Sequence, residues 1–265
     1  MIDRDGNALP GPARSQATGD AAQGGRPDAA ADWSPDQAGP LPGDLPPFDH
    51  RLFEQQGVVI ERGDGPLWVV FTGLGSSFGG TPIPEFRRTL VLLGGTRVFL
   101  RDPSQSWYAL GIDEAPECLP VLLQDLVDQA ERTIFLGSSM GAYAALLYSA
   151  MVGGVDVVHA FGPQSTIDPV VCESIGDHRY RGAFERIRRR LVWPGQQRQW
   201  DLQVCLPARP EVERWVHVCE DDPLDARHAS RLTEVPNLIV RHWPCRGHNP
   251  AGWLKETGML AEVIG

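Results

Sequence analysis

Short apolar runs alternate with amphipathic stretches along the chain from about residue 48 onward. Runs rich in β-branched and aromatic residues predict strands at residues 57–61, 67–72, 96–101, 133–137, 155–161, 215–219 and 237–242. Several of these runs are apolar at nearly every position, which is typical of strands buried on both faces of a parallel sheet. Between them, helical spacing of apolar residues predicts helices at residues 83–93, 119–130, 139–151, 183–191, 224–232 and 251–260.

This alternation predicts an α/β fold, a doubly wound and mostly parallel sheet of about seven or eight strands with helices on both faces. Residues 1–47 are rich in Pro, Gly and Ala and show no hydrophobic period, so we expect a flexible tail there. Residues 48–265 then form one domain. Within it, residues 162–210 are longer than one crossover connection needs, which predicts a small cap or lid.

Composition narrows the functional classes. The net charge of −10 argues against a broad surface for nucleic acid, and we expect no nucleic-acid partner. The five cysteines contain no Cys-x-x-Cys pair, so we expect free thiols and neither a metal site nor a disulfide framework. No run approaches the roughly 20 apolar residues that span a bilayer. With no signal-peptide pattern near Met1, these features predict a cytoplasmic protein without a membrane span.

The candidate chemistry lies where the strand at residues 133–137 meets the next helix. The sequence there is Gly137-Ser138-Ser139-Met140-Gly141. A nucleophilic serine on such a turn needs tiny residues two positions before and two after it, because strand and helix nearly collide. Ser139 has glycines at both positions, whereas Ser138 has Leu136 and Met140. The spacing therefore selects Ser139.

A glycine- and serine-rich turn of this kind has two other interpretations. It can connect a strand and a helix without any chemistry, or it can bind an anion at the helix N-terminus. A short motif alone does not separate these hypotheses; its strand–turn–helix setting favours the nucleophile.

With this motif in this setting, the chain resembles the α/β-hydrolase superfamily from residue 57 to the C-terminus. The resemblance implies a catalytic triad in the order serine, acid, histidine along the chain. His248 is the candidate base, because it follows the last predicted strand and precedes a helix. His217 and His242 lie within predicted strands, His228 lies in a helix, and His159 lies in the strand after the motif.

The acid is expected after the strand at residues 215–219, where the sequence reads Glu220-Asp221-Asp222-Pro223-Leu224-Asp225. Members of the superfamily often place the acid before such a Pro-Leu turn, which puts Asp222 first and Asp225 second. Acidic residues before a helix are also common as N-caps, so the choice between the two stays open.

The resemblance also implies an oxyanion hole formed by two backbone N–H groups. One belongs to Met140, directly after the nucleophile. The other is expected in the glycine-rich loop at residues 73–80, where we choose Leu74. This loop lacks the His-Gly pattern of many relatives and also lacks the lysine of a phosphate-binding loop.

Three residues are candidates for contact with the substrate: Arg101 as an anion-binding group, Trp107 as an apolar wall, and Gly75 in the oxyanion loop. Alternatively, Arg101 pairs with Asp102 and Trp107 belongs to the core. The expected function is a serine hydrolase that acts on an ester, thioester or amide of a small molecule through an acyl-enzyme, with no cofactor and no metal. The alternatives are an acyltransferase or deacetylase that acts on a glycan or a biosynthetic intermediate with the same triad, and a non-catalytic binding protein of this fold. The sequence leaves the oligomeric state open.

Overall fold

The computed structural model describes residues 48–112, 116–190 and 200–265. The predicted tail at residues 1–47 lies outside the described residues. Within them, the chain forms one main sheet of seven strands and a small two-stranded hairpin. The strands, in chain order, are β1 Val58–Glu61, β2 Leu67–Phe71, β3 Ser77–Phe78, β4 Thr81–Pro82, β5 Thr96–Leu100, β6 Thr133–Ser138, β7 Val157–Phe161, β8 Glu213–Cys219 and β9 Leu238–Trp243.

The main sheet has the order β1-β5-β2-β6-β7-β8-β9. β1 pairs antiparallel with β5, and every other pair in this sheet is parallel. Because β2 and β6 are parallel, their carboxyl ends lie at the same edge of the sheet. The strand that follows β2 in this sheet, β5, lies on one side of the β2–β6 pair, and β7, which follows β6, lies on the other side, which is where sheets of this kind form a crevice. The predicted mostly parallel α/β sheet is confirmed.

Helices connect and flank these strands. Their bounds are α1 His50–Gln56, α2 Ile83–Leu93, α3 Cys118–Val127, α4 Met140–Met151, α5 Pro169–Ser174, α6 Arg181–Arg190, α7 Leu202–Cys205, α8 Pro223–Ser230, α9 Pro250–Glu256 and α10 Leu260–Ile264. The single helix predicted at residues 251–260 is two helices. They are separated at Gly258, whose φ of 75° is incompatible with a continuous right-handed helix.

The central strands are buried on both faces, as their continuous apolar runs predict. Along β2, Val69 and Phe71 belong to one apolar cluster, while Trp68 and Val70 belong to the cluster on the opposite face. Because successive side chains of a strand point to opposite faces, a strand covered on both sides must be apolar at every position.

Residues 162–210 do not lie apart from this core in the part of the segment that the structure describes. Phe184 and Ile187 of α6 and Leu202 of α7 are buried in the same apolar cluster as Val69 and Phe71. The segment is therefore anchored on the sheet by its apolar side chains, and it carries polar residues to the carboxyl edge of β7 and β8.

The structure corrects the expectation that the cysteines are all free thiols. Cys219, at the end of β8, forms a disulfide with Cys245, in the loop after β9. Cys118, Cys172 and Cys205 are free. A scattered cysteine pattern does not reveal this pair, because the two residues meet only when β8 and β9 lie side by side.

None of the helices in the described ranges is both long and apolar enough to cross a membrane.

Candidate active site

Ser139 occupies the sharp turn between β6 and α4. Its backbone has φ 54° and ψ −116°, a conformation that non-glycine residues rarely adopt. The two flanking glycines explain how the turn fits. A Cβ on Gly137 would lie 2.1 Å from the carbonyl oxygen of Gly141, and a Cβ on Gly141 would lie 2.0 Å from that of Phe71. Any larger side chain at either position would therefore collide with backbone.

Ser139 is the first member of a hydrogen-bonded chain of three side chains. Its Oγ lies 2.8 Å from Nε2 of His248, and Nδ1 of His248 lies 2.5 Å from Oδ2 of Asp225. The Asp225 side chain is fully buried, whereas His248 is about one quarter exposed. With Nδ1–H donating to the carboxylate, Nε2 carries the lone pair and accepts from the serine hydroxyl.

Asp222, which the sequence placed first as the acid, occupies a different position. It is the N-cap of α8, and its Oδ1 accepts from the backbone N–H groups of Leu224 and Asp225, each at 3.0 Å. An N-cap side chain folds back on its own helix, while a residue one turn later projects from it. Asp225, the second candidate, is therefore the carboxylate that reaches His248.

The two backbone N–H groups chosen for the oxyanion hole both belong to the first residue of a helix. Met140 begins α4, and Leu74 begins a short 3₁₀ helix at Leu74–Ser76. At such positions an N–H has no acceptor within its own helix and is available to another group. A Cβ on Gly73 would lie 2.8 Å from the carbonyl oxygen of Ser138, so the loop before Leu74 runs closely past the turn that carries Ser139.

Arg101 and Gly75 both line a cavity of about 410 Å³ beside this loop. Arg101 donates from Nε to Oγ of Ser76 at 2.9 Å and from Nη1 to the carbonyl oxygen of Glu54 at 3.2 Å. The alternative pairing of Arg101 with Asp102 is not present among these contacts. Phe48, Phe53 and Ile83 contribute apolar wall to the same cavity.

Trp107 does not form an apolar wall of an open pocket. It is 1% exposed, its Nε1 donates to Oε1 of Gln164 at 2.7 Å, and its ring packs edge-on against Phe184. The Asp102 carboxylate accepts from the backbone N–H groups of Ser106 and Tyr108, which holds this loop against β5. The core interpretation of Trp107 is therefore the one that matches its burial.

Gly162, directly after β7, is a residue of this candidate site that sequence reasoning missed. Its φ is 60°, and a Cβ there would lie 3.1 Å from Oδ2 of Asp225 and 3.1 Å from Cε1 of His248. The absence of a side chain leaves room for the histidine–carboxylate pair. The sequence shows a glycine directly after the strand predicted at residues 155–161, but it does not show that this glycine lies beside Asp225 and His248.

The second missed feature is a network of hydrogen-bonded side chains that contacts the Asp225 carboxylate on the oxygen that His248 does not contact. Nη1 of Arg179 donates to Oδ1 of Asp225 at 3.2 Å, and Nη2 of Arg179 donates to Oδ2 of Asp177 at 2.8 Å. Asp177 also contacts Nε2 of His228 at 2.9 Å. Although burial raises the pKa of the Asp177 carboxyl, the hydrogen bonds from His228 and Arg179 outweigh it and hold that pKa well below its ordinary value.

The donor atoms of Asp222, Asp225 and His248 lie within 4.8 Å of one another, which is compatible with a cation in principle. However, Asp225 already accepts from Arg179 and His248, and His248 already contacts Ser139. The positive guanidinium beside the carboxylate further opposes a second cation. The grouping thus fits a hydrogen-bonded chain better than a metal centre.

Comparison with known proteins rests on structure, since no family model and no curated protein matches the sequence. Many solved structures are similar over most of this chain, and three of them serve as examples. The 2,6-dihydroxy-pseudo-oxynicotine hydrolase has 14% identity over 78% of this chain and 64% of its own, with a TM-score of 0.54. A mutant of the esterase rPPE has 14% identity over 78% of this chain and 75% of its own, with a TM-score of 0.53.

The third structure is Est1E from Butyrivibrio proteoclasticus, with 13% identity over 75% of this chain and 86% of its own, and a TM-score of 0.52. The chain has the α/β-hydrolase fold. The predicted resemblance is therefore confirmed at the level of the fold. At these identities the likeness extends no further, and the chain spans only about two thirds of the length of the first of these hydrolases. Function has to be argued from this chain's own site.

Proposed function

We propose that the protein is a serine hydrolase that cleaves an ester of a small molecule through an acyl-enzyme intermediate. The observation that carries this proposal is the unbroken chain from Ser139 Oγ to His248 to Asp225, built at a strained turn. A nucleophile, a base within hydrogen-bond reach and a carboxylate that orients the base are the parts that acyl transfer requires.

In the first half-reaction, Oγ of Ser139 bonds to the carbonyl carbon of the substrate while Nε2 of His248 takes the hydroxyl proton. Asp225 accepts from Nδ1–H throughout and stabilises the imidazolium ion that forms. The bond to the leaving alcohol then breaks, and His248 returns the proton to the alcohol oxygen. The products are the free alcohol and an ester of Ser139.

In the second half-reaction, His248 takes a proton from a water molecule, whose oxygen attacks the acyl carbon. The carbon–Oγ bond breaks, Ser139 recovers its proton from His248, and the acid leaves. We assign the oxyanion of both tetrahedral intermediates to the N–H groups of Met140 and Leu74. One such donor contributes about 100- to 1,000-fold to the rate.

We place part of the substrate in the cavity that Gly75 and Arg101 line, because Gly75 and Ser76 belong to the loop that begins at Leu74. Phe48 and Phe53 make this cavity partly apolar, and Arg101 makes it favourable for an anionic or carbonyl oxygen. This mixture suits a small amphipathic acyl compound.

Labelling with a fluorophosphonate probe tests the proposal directly. We expect the wild-type protein to be labelled at Ser139, and we expect Ser139→Ala to remain unlabelled while Ser138→Ala is labelled. A folded wild-type protein that does not label and does not hydrolyse short p-nitrophenyl esters would refute it. Added acceptor alcohols then separate the two chemical alternatives, because an acyltransferase forms a new ester faster than it releases acid.

A further inference from the structure

Arg179 is brought to the candidate site from the segment between β7 and β8, just before α6. The guanidinium lies 3.2 Å from the oxygen of Asp225 that His248 does not use. The carboxylate of Asp225 is therefore bracketed, with the imidazole on Oδ2 and the guanidinium on Oδ1. Since the Asp225 side chain has no exposure to water, these two groups supply the contacts that solvent would otherwise provide.

Arg179 is itself held in place by a buried set of polar groups. Nε and Nη2 of Arg179 form a fork on the carboxylate of Asp177, at 3.1 and 2.8 Å. On the other side of Asp177 lies His228, and its Nδ1 accepts from the backbone N–H of Ser165 at 3.0 Å. Because Nδ1 is an acceptor, His228 carries its proton on Nε2 and donates it to Asp177.

Ser165, His228 and Asp177 thus have the side chains of a second serine–histidine–acid set. All three are nearly inaccessible to solvent, with exposures of 0%, 0% and 4%. Their buried position fits a scaffold for Arg179 and leaves no access for a substrate. Oγ of Ser165 also accepts from Nη1 of Arg231 at 2.7 Å, which ties the set to α8's C-terminal end.

We propose that Arg179 is a positioning residue of this site. It keeps the Asp225 carboxylate charged and oriented, and through Asp225 it sets the orientation of His248. Asp177, His228 and Ser165 hold the Arg179 guanidinium in its place. This inference rests on the proposed hydrolase function. A fork-shaped guanidinium suits the task because it bonds to two carboxylates at once without turning, whereas an ammonium group cannot match both geometries.

The charge of Arg179 has a predictable effect on the reaction. The charged groups near the His248–Asp225 pair are Arg179 before α6, Asp222 at the start of α8, Asp221, which accepts from the N–H of Gly247, and Arg246 in the His248 loop. Arg179 is the cation that contacts Asp225. Its positive charge opposes protonation of the His248 imidazole. In a variant without this charge the imidazolium ion should persist to higher pH, so activity that needs the neutral imidazole should begin at a higher pH than in the wild type.

The decisive experiment compares Arg179→Met with Arg227→Met. Arg227 also ties α8 to the segment after β7, because its Nη1 donates to the carbonyl oxygen of Ile175 at 2.9 Å, but it does not touch Asp225. We expect Arg179→Met to lower kcat about 10- to 100-fold with KM nearly unchanged, the range in which loss of a hydrogen-bonded partner of a metal-ligating residue lowers activity. The acid-side midpoint of its activity profile should move to higher pH. Arg227→Met should leave both quantities close to those of the wild type.

Two further variants separate positioning from a merely structural role. Arg179→Lys keeps the charge and loses the fork, so its acid-side midpoint should stay near the wild-type value while kcat is intermediate. Activity of Arg179→Ala should rise when guanidinium ion is added at low concentration. Two results would overturn the proposal. The first is equal behaviour of Arg179→Met and Arg227→Met. The second is a loss of kcat in Arg179→Met with an unmoved pH profile and no recovery of kcat in Arg179→Lys.

A readout independent of turnover distinguishes this inference from the proposed function. The proton shared between Nδ1 of His248 and Asp225 gives a far-downfield proton NMR signal in a protein with this hydrogen bond. We expect that signal to shift or broaden in Arg179→Met and to persist in Arg227→Met. If the wild type fails to label or hydrolyse, the proposed function fails, and this signal still decides whether Arg179 positions the pair. An unchanged signal in Arg179→Met would refute the positioning role of Arg179.

Discussion

Cys219 and Cys245 join the end of the strand that leads to Asp225 to the loop that carries His248. The disulfide closes a loop with a sequence separation of 26, and both cysteines are buried. It therefore links the two chain segments whose side chains must meet. Removing it affects both the unfolded chain and the alignment of the two segments.

We expect the double variant Cys219→Ala/Cys245→Ala to lose about 3 to 4 kcal/mol of free energy of unfolding, from the chain entropy of a loop of this length. Urea denaturation measures this loss. Cys118→Ser is the matched control, because that cysteine is free and exposed. A double variant as stable as the wild type would mean that the two thiols do not form this bond in solution.

The space at Gly162 gives a second prediction. In Gly162→Ala the new methyl group would press on both Asp225 and His248, at 3.1 Å from each. Because a misplacement of about 1 Å can cost about 100-fold in rate, we expect a loss of kcat of that order.

Gly247→Ala is the control for Gly162→Ala. Gly247 also has a positive φ, of 68°, and it adjoins His248, but a Cβ there would meet no atom within 4 Å. It should therefore show the backbone strain alone and lose much less activity. Similar activities for the two alanine variants would contradict the crowding argument.

The acid is tested by comparing two conservative substitutions. Asp225→Asn should lower kcat about 10,000-fold, because an amide can hold His248 in the wrong tautomer. Asp222→Asn should be nearly silent, since asparagine caps helices about as well as aspartate. Steady-state kinetics on an ester substrate measures both. A larger loss in Asp222→Asn would restore Asp222 as the acid.

A pair of buried histidines gives a prediction on stability and pH. Trp243 donates to Nδ1 of His217, so Nε2–H of His217 donates to Nδ1 of His159, and both rings are neutral. Burial, reinforced by the charge of Arg241, lowers the pKa of His159 from 6.5 to about 4. Burial also places the pKa of His217 well below its ordinary value.

The sign of the effect follows from proton binding. Well above pH 6.5 neither the folded nor the unfolded chain protonates His159, and its contribution to stability is fully present. As the pH falls from there toward 4, the unfolded chain binds the proton first, so the free energy of unfolding decreases, by up to about 3 kcal/mol for His159 alone. Urea denaturation from pH 7 to 4 should show this decrease. His159→Gln, which retains an acceptor for His217, should have a shallower pH dependence; an identical slope would exclude His159 as its source.

The strands and helices of the sheet were predictable from the sequence because their signals are local. β2 is apolar at every position, and β5 and β6 each contain three consecutive apolar residues, at 98–100 and 134–136. Such runs are typical of strands that are buried on both faces. Short helices such as α5 and α7 escaped prediction, because six or four residues carry too little periodicity.

The sequence by itself determined the position of Ser139, because the pattern that selects it is local: a glycine two residues before and two residues after the serine, at the junction of a predicted strand and a predicted helix. Tertiary structure decided the rest of the site. Asp222 and Asp225 are the same residue type, three positions apart at the start of α8, so the choice between them depends on where the His248 loop lies. Arg179 reaches Asp225 over a sequence separation of 46, and Cys219 meets Cys245 across two strands. Such contacts leave no pattern in the sequence, because residues that are far apart in the chain can meet without any regular spacing of the residues between them.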